Sequence, residues 1–156
     1  MKANELELIA GQIESGYNEG AWPGVSVRGL FRGMTAAEAA AHPIKGAHSA
    51  WEIALHLGIW HDAARRRLGG EPLDYDNDED WPAPAQPTEA NWKAALDEID
   101  RGLAALSNTV RHLQPERLDD IVPGKKFTVY FMLHGMPQHD LYHGGQVVLL
   151  KKALKT

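Results

Sequence analysis

Cysteine is missing from the chain altogether. That excludes disulfides, thiolate metal ligands and a cysteine nucleophile. Positive charge is scarce: Lys and Arg number 16 against 21 Asp and Glu, for a net charge of −5. Cations adjoin in short runs such as Arg65-Arg66-Arg67 and Lys125-Lys126. No basic stripe exists to neutralise a run of phosphates, so a nucleic-acid partner is not expected. No apolar run approaches the roughly 18 residues that span a bilayer, and no apolar segment is followed by a small-residue cleavage site. A membrane partner is therefore not expected either, and a soluble, cytoplasmic protein is. A nucleophile elbow, a phosphate-binding loop and a dinucleotide fingerprint are absent as well.

What remains is an ordinary globular mixture, 156 residues with 44% hydrophobic and 24% charged side chains. It fits one domain over residues 1–156, without repeats and without a convincing strand. From Asn4 to about Gly20, Leu6, Ile9, Ile13 and Tyr17 recur at steps of three and four, the mark of an amphipathic helix. Residues 21–34 are rich in Gly and Pro and read as a long loop, after which Thr35 caps a short helix that Pro43 stops. A second helix is expected from about Gly46 to Leu68, apolar nearly all round and hence central, with Gly69-Gly70 ending it. The three arginines in its last turn suit the helix dipole and read as a solvated helix end.

Residues 69–87 form a second long connection carrying the acidic run 74–80. A calcium loop starting at Asp74 would put Glu79 where the turn needs glycine and Ala85 where a bidentate Glu is needed, so a solvated acidic loop is expected. Trp81 is placed to fold its indole back onto the bundle. The third helix begins after Thr88 and carries Trp92, Leu96, Ile99, Leu103, Leu106, Val110 and Leu113 at a period near 3.5, the spacing of left-handed bundle packing. The fourth runs from Thr128 to about Leu154 with Pro137 inside it, where a kink is expected. Four long amphipathic helices make an all-α four-helix bundle, up-and-down or with a crossover, with long loops and a short extra helix.

His139 and His143 lie one helical turn apart on the fourth helix, so both imidazoles can turn to one point. His56 sits between Leu55 and Leu57 on the buried second helix, where a neutral imidazole must find partners for both nitrogens. Two readings fit this trio: an open metal site, or buried core histidines held by hydrogen bonds. His48 and His61 are less central, His48 being the better placed to line the same cavity. His42, His112 and His134 read as solvated or structural.

Ser49-Ala-Trp-Glu-Ile-Ala-Leu-His56-Leu on the second helix, with Gln138-His-Asp-Leu-Tyr-His-Gly-Gly-Gln146 on the fourth, resembles the DinB/YfiT-like superfamily of metal-dependent four-helix bundles. The likeness covers both motifs, their order and their separation. It implies that His56, His139 and His143 bind a divalent transition metal, with zinc or nickel the expected ion. Glu52, Gln146, His48 and Tyr142 are then candidates to orient the ligands or line the pocket. Glu52 and Gln146 equally fit an exposed helix residue and a bundle hydrogen bonder.

Three histidines leave coordination positions open, as in catalytic sites. The resemblance implies a metal-dependent enzyme activating a low-molecular-weight thiol or water against a small electrophile, as a thiol transferase or a hydrolase. It also admits a non-enzymatic, damage-response accessory protein. An apolar pocket opening on the metal, with loops 21–34 and 69–87 at its mouth, would favour the enzyme. A homodimer is expected, signalled by exposed apolar stripes on the first or last helix.

Overall fold

A computed structural model describes residues 2–22, 24, 26–75 and 77–155. Residues 1, 23, 25, 76 and 156, and the side chains of 2–4, 77 and 78, fall outside that description.

The four long helices are α1 (Lys2–Tyr17), α4 (Ala50–Leu68), α6 (Glu89–Arg111) and α7 (Val129–Ala153). Among the described residues there is no strand, only an isolated bridge between Ile121 and Thr128. The long helices start where the sequence supplies a cap. Thr88 accepts from Asn91 N and Thr128 from Phe131 N. At α4 the helix begins at Ala50 rather than near Gly46, because Ser49 and Glu52 form a reciprocal capping box. Gly46 instead occupies a left-handed turn ahead of it, at φ +79°.

Around the bundle, α1 and α4 each lie between α6 and α7. Helices successive in the chain, α1 to α4 and α6 to α7, therefore sit across the diagonal, so the topology is the crossover alternative. α4 and α6 run parallel: Trp51 meets Trp92 at 5.1 Å between ring centroids, Gly58 approaches Ile99 and Gly102 approaches His61, all at one constant sequence offset. Their long connection, residues 69–88, is what a parallel return requires.

The first crossover is more ordered than its composition indicates. Val27–Arg32 forms a helix, α2, capped by Ser26, where a loop was expected. It packs on α7 and α1, driven by fully buried Val27 and Phe31. α3 (Ala36–Ala40) follows, capped by the Thr35–Glu38 box. Trp92 donates its indole N–H to Met34 O at 3.1 Å and packs edge-on to Phe31, tying this crossover to α6. Each Leu, Ile or Phe buried in this way stabilises the fold by about 2 kcal/mol.

α7 continues as a helix through Pro137. Pro137 meets Gly16 of α1 so closely that a Cβ on Gly16 would lie 2.7 Å from Pro137 Cβ and 2.8 Å from its Cα. Gly144 makes the same kind of approach to Val27 of α2, at 2.8 Å. These two glycines let neighbouring helices close onto α7, whereas Gly145 faces open space.

Candidate metal centre

α4 and α7 are antiparallel neighbours, and their facing sides carry the trio. His56 and His143 are buried and His139 is half-buried. One ligand atom from each lies within 4.8 Å of the other two, and Nε2 of His56 is 3.0 Å from Nε2 of His139. Bonds of about 2.0–2.1 Å to one ion put donor nitrogens about 3.0–3.4 Å apart, so small adjustments bring the three onto a single centre.

The outer nitrogens of two rings are committed. His56 Nδ1 lies 2.9 Å from the backbone carbonyl of Asp80 and 3.0 Å from Asp80 Oδ1. His143 Nδ1 donates to Gln146 Oε1 at 2.8 Å. Acceptor-only partners hold the proton on Nδ1 and turn a lone pair outward on Nε2, the tautomer that a metal takes. Nδ1 of His139 is buried without a partner among the described residues.

Burial pushes all three imidazoles toward the neutral form. His139 is held lowest, at about 4, by desolvation first and by the neighbouring His143 and His56 second. Desolvation is also the main cause of the lowered pKa of His56 and of His143. Three neutral, converging imidazoles are a donor set for a borderline transition metal.

The acidic connection reaches this centre through Asp80, which departs from the expected solvated loop, while Asp74 stays exposed. Asp80 ends the short helix α5 (Asn77–Asp80), and besides meeting His56 it accepts from Trp60 Nε1 at 2.6 Å. The neighbouring Trp81 stacks on His56 at 3.9 Å and on His48 at 3.6 Å, with nearly parallel planes. The indole thus folds back as expected, and it is the link between His48 and the cluster.

The remaining candidates are distributed as follows. Glu52 is turned away from His56: its carboxylate accepts from Ser49 N at 2.6 Å and pairs with His42 at 2.9 Å. Burial works to raise its pKa, but those hydrogen bonds outweigh it and keep the pKa low. Tyr142 is exposed, its ring edge-on to His143 at 5.0 Å.

His61 has a role that its position near the end of α4 did not reveal. It is fully buried, with Nε2 3.0 Å from both oxygens of fully buried Asp140. Asp140 follows the candidate ligand His139 directly, so this pair anchors α7 to α4 beside the cluster. An i+5 step from His56 on α4, together with an aspartate in the second motif, was the available signal.

A cavity of about 400 Å³ opens on His56 and His139. It is lined by Trp60 of α4, by Phe131, Met132 and Met136 of α7, and by Phe127 and Asp80. Loop 69–87 therefore contributes to the cavity through Asp80. None of the described residues of 21–34 lines it, because α2 packs on α7 and α1. Arg67 also lines this cavity and is only 3% exposed. The solvated arginine end holds for Arg65 and Arg66, which pair with Asp62 and Glu71, and fails for Arg67. Positions 56, 60 and 67 fall on one stripe of α4, and that stripe faces the cavity.

Fold and centre together define a helical bundle with three convergent histidines in its core. A sequence model of the DinB superfamily matches residues 25–147, and the chain belongs to that superfamily. No curated protein and no solved structure matches the chain. Among the described residues, no helix is long and apolar enough to cross a membrane.

Proposed function

We propose that the protein is a metal-dependent enzyme in which His56, His139 and His143 hold a divalent transition metal, zinc or nickel, beside the cavity that receives a small electrophile. A metal ion there would lower the pKa of a thiol or water molecule taken into its open positions, or polarise a carbonyl. The chain's own residues do the rest. Asp80 and Gln146 hold the proton on Nδ1 of their histidines. Trp81 covers the His56 ring and limits access of water from that side. Trp60, Phe131 and Met136 offer an apolar wall for the body of the electrophile.

The observation that carries this proposal is the convergence of the three imidazoles, two of which, His56 and His139, line an open cavity. A cavity at the ligands supports a reacting role over a purely accessory one, because an accessory site has no need of access. Exposed Leu8 on α1 and exposed Tyr142 and Leu149 on α7 supply apolar surface for the proposed homodimer.

Elemental analysis of the purified protein beside the His139→Ala/His143→Ala double variant tests the centre. The wild type should carry about one equivalent of metal and the variant almost none; equal, substoichiometric content in both rejects it. Turnover of a thiol with an alkylating electrophile should disappear in a folded His56→Ala variant, and unchanged turnover would remove the metal from the reaction.

A further inference from the structure

Arg67 is a buried cation with an incomplete set of partners. The residue is only 3% exposed, yet among the described residues no carboxylate lies within ion-pairing distance. One guanidinium nitrogen donates to the carbonyl of Leu73 at 2.9 Å, and Nε is buried with no partner. The guanidinium carbon lies 5.1 Å from the centre of the Trp60 ring. Glu71, close to it in sequence, pairs with Arg66, and Asp74, whose charge acts on Arg67 from a distance, pairs with Lys125 at 2.6 Å. Asp80, the carboxylate lining the same cavity, is engaged by Trp60 and His56.

A buried cation without an ion-pair partner is costly, and neither the Trp60 face nor the C-terminal dipole of α4 replaces a counter-ion. Placement adds meaning to the imbalance. Arg67 lies three helical turns beyond His56 on the same stripe, about 16 Å along the axis. Helical side chains lean toward the N-terminus, so its head reaches back over Trp60 toward the histidines. The cavity between them thus has neutral imidazoles at one end, an apolar middle of Trp60, Phe131 and Met136, and a cation at the other.

We infer that Arg67 binds the carboxylate of an apolar-bodied monoanion whose far end lies at the histidine cluster, so that the electrophile of the proposed reaction is a carboxylic acid derivative carrying a free carboxylate. This rests on the cavity being the substrate site. A planar guanidinium with a free Nε–H matches a carboxylate edge in two-point fashion. A single cation facing one resident carboxylate, Asp80, favours a monoanion over a doubly charged group.

The probe is octanoate, compared with neutral octanamide and with octyl phosphate, by calorimetric titration of chelator-treated protein. Without metal, a carboxylate cannot bind by ligating an ion, so the result is independent of whether the metal reading holds; that reading fails separately, in the elemental analysis. Octanoate should bind the wild type roughly tenfold or more tightly than octanamide. Arg67→Gln should abolish this preference while leaving octanamide unchanged, and Arg67→Lys should restore part of it. Equal affinity of octanoate and octanamide for the wild type, a measurement that needs no variant, overturns the assignment. Octanoate binding undiminished in folded Arg67→Gln also overturns it, and tighter binding of octyl phosphate overturns the carboxylate.

Discussion

Gln146 stands one helical turn beyond His143, and its amide oxygen accepts the proton of His143 Nδ1 at 2.8 Å. Because both residues belong to α7, the orientation of the ring is set within one helix and does not depend on the packing of α4. Gln146→Leu would remove the acceptor while keeping most of the volume. Metal affinity, measured by competition with a chelator, should fall about 10- to 100-fold. Gln146→Glu should retain tight binding, since a carboxylate accepts the same proton. Unaltered affinity in Gln146→Leu would mean that the ring is held by packing alone.

The acid response of the metal-free protein follows from the same burial. His139 titrates at about 4 in the fold against 6.5 as its ordinary value, and the pKa values of His56 and His143 are lowered too. Between those limits the unfolded chain takes up protons that the folded chain refuses, so acid favours unfolding. This stability is complete above about pH 6.5 and is lost as the pH falls toward 4. Thermal melts of chelator-treated protein should show Tm declining across that window, before most carboxylates titrate. Added zinc should raise Tm most above pH 6.5, with the gain vanishing in acid. A Tm that is flat from pH 7 to 5 without metal would contradict the burial of the trio.

Two glycines of α1 should respond in opposite directions. Gly16→Ala drives a methyl group into the Cα and Cβ of Pro137, neither of which can rotate away, and should cost about 1–3 kcal/mol in urea denaturation. Gly11→Ala meets nothing within 4 Å and should stabilise the helix by about 0.5–1 kcal/mol. A neutral Gly16→Ala would show that α1 and α7 separate easily.

The long helices and the shared direction of His139 and His143 were legible in the sequence for physical reasons, and the family resemblance is what implied that His56 converges with them. Apolar spacing reports which face is buried, Ser and Thr caps report where a helix starts, and an i, i+4 pair reports a shared direction. The same signals fail for short elements. α2 has six residues, too few to show a period, and it forms because Val27 and Phe31 find a groove on α7 and α1.

Other contacts of the site escaped for different reasons. The Asp80 carbonyl that meets His56 is a backbone group, and no residue type announces it. Glu52 is one turn from His56, but the open N-terminus of α4 competes for its carboxylate and wins. Arg67 looked solvated because its neighbours are; only the register from His56 through Trp60 separates it from them.

The crossover topology has a consequence for the order of events in folding. His56 and His139 are 83 residues apart in the chain, and α6 is completed between them without contributing a candidate ligand. During synthesis the first half of the centre therefore emerges well before the second, and the parallel α4–α6 pair can form while His56 has no partner across the groove. Metal capture would then come only after α7 docks, so the ion would report assembly of the whole bundle rather than nucleate it.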